Sequence, residues 1–279
     1  GEWSDDDFRY QAELIVTSKV NNAGHNCIAT QVLILPGEWH GTPRLLDEIR
    51  SVMAALPPRT NYYPGAEVRR QSLVDTHEAV DDFTGEGCGT LILDVAIDDE
   101  LIQSEVFASV LAVATLPELD TVAYLAAATA FANDRLPGTL GATLIVDPWT
   151  EHEYADAIST TIRDLRYGTL GVNVWSGFGF LLGYTPWGAF PGHSAEAIGS
   201  GRGFVHNAFM LQDVERTVLH GPFAPMPRGL VHGSASISPK PPYFVTNRTG
   251  RATIRRLTNF TCRRSVFALP GIFASALRG

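Results

Sequence analysis

Long apolar runs that alternate with helical segments constrain this chain more than any other feature. Residues 28–35, 90–97, 106–116, 139–146 and 170–175 each read as a strand with few polar interruptions. A strand that is apolar on both faces must be covered on both faces, as in a parallel sheet with crossover helices. The intervening segments supply the helices. Ser4 followed by Asp7 forms a capping box that opens an amphipathic helix over 5–20, where Phe8, Ala12, Ile15 and Lys19 recur at helical spacing. Further helices are expected over 44–56, 66–82 and 117–133, and from a capping box at 150–153 to about residue 165. The expected class is α/β, with a mostly parallel sheet flanked by helices and a final strand near 214–219.

With 45% hydrophobic and 18% charged residues in 279, the composition is globular and excludes a disordered or collagenous chain. Three cysteines are too few for a disulfide framework, so a reducing, cytoplasmic setting is expected. No apolar run reaches the ~18 residues of a spanning helix, and no membrane partner is expected. The first residue is Gly and no signal peptide opens the sequence, which suggests a trimmed or partial chain.

The net charge of −9 hides an asymmetry: residues 1–215 carry −19, whereas 216–279 carry ten basic side chains and no acidic one. The expected division is 1–222 as one domain and 223–279 as a basic, Pro- and Arg-rich, irregular tail. Apolar segments at 241–245 and 267–273 favour docking of this tail on its own acidic body or on a partner subunit over nucleic acid.

Chemistry centres on the cysteines. Cys27 follows Asn21-Asn-Ala-Gly-His-Asn26, a turn between a helix and a strand in which Gly24 permits close backbone approach. Structural burial is the alternative role for Cys27. Cys88 sits in Gly85-Glu-Gly-Cys-Gly89, and Cys262 lies beside Arg263 and Arg264; neither has a surrounding constellation. The eight histidines show no metal-ligand spacing, and no metal is expected. Val174-Trp-Ser-Gly177 lacks the first glycine of a serine-hydrolase elbow. Residues 176–203, with eight glycines and two prolines, read as a long loop, either functional or packed by its own aromatics.

Five segments, in order, carry a family resemblance. They are Val20-Asn-Asn-Ala-Gly-His-Asn-Cys-Ile-Ala29, Ser104-Glu-Val-Phe-Ala-Ser-Val110, Ala130-Phe-Ala-Asn-Asp134 with Gly138-Thr-Leu-Gly-Ala142, Tyr167-Gly-Thr-Leu-Gly-Val-Asn-Val174 and Thr185-Pro-Trp-Gly-Ala189. Together they resemble the cysteine-bearing half of the aldehyde dehydrogenase superfamily. The resemblance implies oxidation of an aldehyde to a carboxylic acid with NAD or NADP, through a thiohemiacetal and a thioester on Cys27. It assigns Glu105 and Phe107 to the nicotinamide end of the cofactor, Asn173 to support of the cysteine loop or to the strand end alone, and a homo-oligomer as the assembly. Trp175, Phe178 and Phe180 are candidate walls of an aldehyde channel, with core packing as the other reading.

The sequence departs from the family pattern at His25, where Gln or Glu is usual, at Ala108-Ser109 in place of Gly-Pro, and at Ala189. Gly199-Ser-Gly-Arg-Gly203 resembles a later family element and follows no expected strand. The family's glycine-rich phosphate turn and its general-base Glu-Leu-Gly-Gly element do not occur in the 279 residues. Weak cofactor affinity and an inactive isolated chain are therefore expected. Two other functions remain open: a non-catalytic oligomerisation module using the strand near 214–219, and a thiol esterase or acyl-transferase.

Overall fold

The computed structural model describes residues 1–279 except 97, 118, 119 and 208. The N-terminal part runs α1 (Asp5–Val20), β1 (Val32–Pro36), α2 (Thr42–Ala55), α3 (Ala66–Thr76), β2 (Val80–Asp82), β3 (Thr90–Ile92), α4 (Glu100–Gln103) and β4 (Val110–Leu116). After α5 (Thr121–Asp134) come β5 (Gly141–Leu144), α6 (Pro148–Glu153), α7 (Ala155–Asp164), β6 (Thr169–Val172), α8 (Phe178–Leu182), β7 (Trp187–Gly188), β8 (Phe204–Val205) and β9 (Thr217–His220). Two helices close the chain, α9 (Gly250–Arg263) and α10 (Leu269–Ala276).

The α/β expectation holds, with the strands divided between sheets. One sheet has the order β1-β4-β3-β2, with β1, β4 and β3 parallel and β2 antiparallel at its edge. A second, β5-β6-β9, is parallel throughout and has β9 at one edge. Helix α5 joins them: Phe131 packs into the core of the first sheet, and Leu125 and Ala132 into clusters of the second. The Tyr124 hydroxyl also donates to the Ile34 carbonyl at 2.9 Å.

Helix α1 starts as the sequence predicts. Ser4 Oγ accepts from the Asp7 amide, and the Asp7 carboxylate accepts from the Ser4 amide. It is not an ordinary amphipathic helix, however. From Asp7 to Val20 every residue but Arg9 is buried, including Asp7, Gln11, Glu13, Thr17, Ser18 and Lys19. Helix α2 covers one side, and the segment after β9 covers the polar side with complementary groups. Arg228 Nη1 and His232 Nε2 each lie 3.1 Å from an Asp7 carboxylate oxygen, and Lys240 Nζ is 2.7 Å from Glu13 Oε2. Gln11 Nε2 donates to the Phe223 carbonyl at 2.7 Å, and the Val245 amide donates to Thr17 Oγ1. Phe244 packs on Tyr10 with ring centroids 5.2 Å apart.

Several expectations are corrected. The helix expected over 66–82 ends at Thr76, and Val80–Asp82 is a strand whose Asp82 ties into an Arg70 bridge and accepts from Thr84 and Thr90. The helix after β5 is capped by Asp147, which accepts from the Thr150 amide and hydroxyl, and it breaks at Tyr154. The tail is not irregular throughout, because the proline-free stretch from Gly250 forms α9 and Leu269 opens α10. The last residue of the strand expected over 90–97 and residues 118 and 119 of the helix expected over 117–133 lie outside the described residues. No helix among the described residues is long and apolar enough to cross a membrane.

Leu111, in β4, is fully buried between α1 and α2 in the core of the first sheet. Leu111→Ala is expected to cost about 2–5 kcal/mol in chemical denaturation through the cavity it leaves.

Candidate functional site

The turn that carries Cys27 is set by backbone conformation. Asn22, Ala23 and Gly24 all adopt left-handed φ values, 53°, 55° and 76°, so the chain reverses sharply as α1 ends. Asn22 Nδ2 holds the reversal by donating to the His25 carbonyl at 2.8 Å. Only glycine fits position 24, because a Cβ there would stand 2.5 Å from the Ala108 carbonyl oxygen. The cysteine turn is thereby pressed against the segment between α4 and β4.

That contact brings Cys27, Glu105 and Phe107 to one site. The Cys27 thiol is exposed and free. Partial burial pushes its pKa up, its own backbone N–H lowers it, and the Glu105 carboxylate raises it further. Phe107 also has a left-handed φ, 48°, and its ring meets Tyr63 edge-on at 4.8 Å and His25 at 5.7 Å. His25 is 4% exposed and packed between Tyr62 and Tyr63, and neither ring nitrogen meets a hydrogen-bond partner among the described residues. Burial lowers its pKa against the Asn22 backbone, and the Lys19 and Arg69 charges lower it further.

Beneath the turn lies Lys19, fully buried at the end of α1. Among the described residues its Nζ reaches only Gln31 Oε1, at 3.5 Å. Burial pulls its pKa down to about 7, against the pull of the Glu105 carboxylate. The site thus gathers a thiol, a carboxylate and a buried amine around one aromatic cluster.

No protein-family description and no curated protein matches the sequence. Solved structures do match it. A mutant of Thermus thermophilus 1-pyrroline-5-carboxylate dehydrogenase superposes with a TM-score of 0.55 and 21% identity, over 66% of this chain and 36% of that one. The NADP complex of an NADP-dependent glyceraldehyde-3-phosphate dehydrogenase from Bacillus halodurans gives 0.52 and 17%, over 66% and 39%. An indole-3-acetaldehyde dehydrogenase complexed with NAD+ gives 0.51 and 18%, over 66% and 38%. The chain carries part of the aldehyde dehydrogenase fold. It spans 36–39% of the length of these three structures.

Within this aldehyde dehydrogenase-like frame, the aromatic residues expected to line a channel separate. Trp175 adjoins the cysteine turn, and its Nε1 donates to the Ile28 carbonyl at 3.3 Å. Phe178 packs on Tyr243 of the C-terminal segment, at 5.6 Å. Phe180 is half exposed and lies against Trp187 and His206. Asn173 serves the strand end, where its Oδ1 accepts from the Val146 amide at 2.9 Å. Cys88 is buried in the core, and Cys262 is exposed on α9. No group of His, Cys, Asp and Glu able to hold a metal ion occurs among the described residues.

The sequence reading missed Lys19, Tyr62 and Tyr63 as site residues. A lysine at a core-facing position of a helical stripe was the available signal for the first. An aromatic pair between Pro58 and Pro64 was the signal for the others.

Two outcomes follow. Alkylation of Cys27 by iodoacetamide should rise with pH to a midpoint above the ordinary thiol value. Glu105→Gln removes a negative charge, lowers that midpoint and speeds alkylation at pH 8 by about 2–5-fold. Lys19 binds fewer protons when folded than when unfolded between pH 7 and 10.5, so its contribution makes stability rise with pH across that window. Below pH 7 its burial costs on the order of 5 kcal/mol. Lys19→Met should therefore raise the Tm at pH 7 and remove the rise.

Proposed function

We propose that this chain supplies the cysteine-bearing part of an NAD(P)-dependent aldehyde dehydrogenase that oxidises an aldehyde to a carboxylic acid. The observation that carries the proposal is the close approach of Gly24 to the Ala108 carbonyl, which supports a site shared by Cys27 and the Glu105–Phe107 segment. The shared fold supports it.

Cys27 Sγ attacks the carbonyl carbon after losing its proton, and the carbonyl oxygen takes up the electron pair to give a thiohemiacetal. The backbone N–H of Cys27 is the donor available to the developing oxyanion. Glu105 and Phe107 would hold the nicotinamide end of NAD or NADP, which would supply a hydride acceptor for the oxidation. Water then releases the acid and restores the thiol. Phe107 fits the cofactor's flat ring because its backbone conformation and the Tyr63 and His25 rings fix its orientation. Phosphate binding and the hydrolytic base fall to elements outside the matched motifs, so complete turnover needs a cofactor-binding segment in addition to residues 1–279.

The exposed thiol supports a partial reaction in the isolated chain. Residues 1–279 should cleave an activated ester such as p-nitrophenyl acetate. Cys27→Ala should abolish this cleavage, and Cys88→Ala and Cys262→Ala should retain it. When the chain is joined to a segment with a cofactor cradle and base, aldehyde-dependent NAD(P)H formation should fall about 10³-fold or more in Cys27→Ala. NAD(P)H formation that survives Cys27→Ala would refute the assignment.

A further inference from the structure

Two stretches of this chain carry charge of a single sign. Residues 71–134 hold thirteen acidic side chains and no Lys or Arg, and residues 216–279 hold ten basic and no acidic ones. The first half of the basic stretch meets its opposite charges on α1, through Arg228 and Lys240. The second half does not. Arg251, Arg255, Arg256, Arg263 and Arg264, on and just beyond α9, are all exposed, and none has an ion-pair partner among the described residues.

The same hairpin leaves apolar surface uncovered. Helices α9 and α10 pack on each other through Thr253 and Ile272, and Thr253 Oγ1 lies 2.8 Å from Ser275 Oγ. At the tip between them Val266 and Phe267 are 65% and 91% exposed, and Ile254 on α9 is 49% exposed. An apolar tip flanked by unpaired arginines is an interface composition, with Arg and Phe at its centre.

The acid-only stretch offers the matching surface. Asp75 lies in the last turn of α3, Glu78 precedes β2, Glu86 lies in the β2–β3 turn, Asp94 follows β3, Asp98 precedes α4 and Glu100 begins it. These six carboxylates are exposed on the segments that flank β2 and β3, at the side of the first sheet where β2 is the edge strand, and none is ion-paired among the described residues. No ion pair joins the two stretches within one chain among the described residues.

We propose that the α9–α10 hairpin docks on the β2-edge acidic face of a second copy of this chain, with Phe267 as its apolar anchor. The contact is reciprocal, each copy giving a hairpin and receiving one, as a two-fold dimer requires. The arginines and carboxylates of the two runs that have no ion-pair partner within one chain among the described residues pair between molecules, and the dimer is held more firmly at low salt.

Sedimentation velocity of the full chain tests this. The wild-type chain should be dimeric at 50 mM salt and shift toward monomer at 500 mM. Tail reversal (Arg251→Glu, Arg255→Glu, Arg263→Glu) and face reversal (Asp94→Lys, Asp98→Lys, Glu100→Lys) should each weaken association by at least tenfold, and so should Phe267→Ala. Mixing the tail-reversed and face-reversed variants should restore a dimer, because each variant's altered element meets a complementary one on the other. That rescue also shows that both variants are folded. A monomeric wild-type chain at low salt, or a dimer indifferent to both reversals, would overturn the proposal. Binding of phosphatidylglycerol vesicles by a chain that stays monomeric would overturn it in favour of a lipid surface.

Discussion

Helix α1 carries two acids, an amide and a lysine into the centre of the molecule, and the acids and the amide meet partners there. A carboxylate left unpaired at such depth would cost several kcal/mol, a large share of a domain's stability. The segment after β9 resolves this by laying Arg228, His232 and Lys240 against Asp7 and Glu13 and a backbone carbonyl against Gln11. Once its polar side is covered, α1 can serve as the core helix from which the cysteine turn projects. The chain's charge asymmetry is thus partly a folding device. The basic segment is a wall of the core.

The end of that helix fixes the site. Left-handed residues 22–24 reverse the chain, and the missing Cβ of Gly24 lets the turn seat on the Ala108–Ser109 backbone. Cys27 and the Glu105–Phe107 segment lie some eighty residues apart in the sequence, and this seat brings their backbones together. Lys19, one turn earlier, places a buried amine under the same turn. Its depressed pKa and the raised pKa of Cys27 share one cause, the removal of water from around the helix end.

Local signals in the sequence were legible where the interaction is itself local. The Ser4–Asp7 capping box, the apolar run of β4 and the strand before residue 220 can be read from a few residues each. What escaped depends on distant partners. Nothing within residues 5–20 announces that Asp7, Gln11, Glu13 and Thr17 will be buried, since the groups that cover them lie more than two hundred positions away. Val80–Asp82 is too short and too acidic to read as a strand, and it forms one because β3 is beside it. The helix at 148 starts from Asp147 rather than Thr150 because Pro148 is tolerated at the first helical position. At the site, the order of the motifs pointed to Cys27, Glu105 and Phe107. Tyr62, Tyr63 and Lys19 follow no such order and emerge only from packing.

The central claim is that Cys27 is the nucleophile of a thiol-based aldehyde oxidation, and acyl mapping tests it most directly. The full chain would be mixed briefly with a short-chain acyl p-nitrophenyl ester, quenched in acid, digested and examined by mass spectrometry. The account predicts one acyl group, on the peptide that contains Cys27, with Cys88 and Cys262 unmodified. Acylation of Cys262 in preference to Cys27, or none on Cys27, would contradict it.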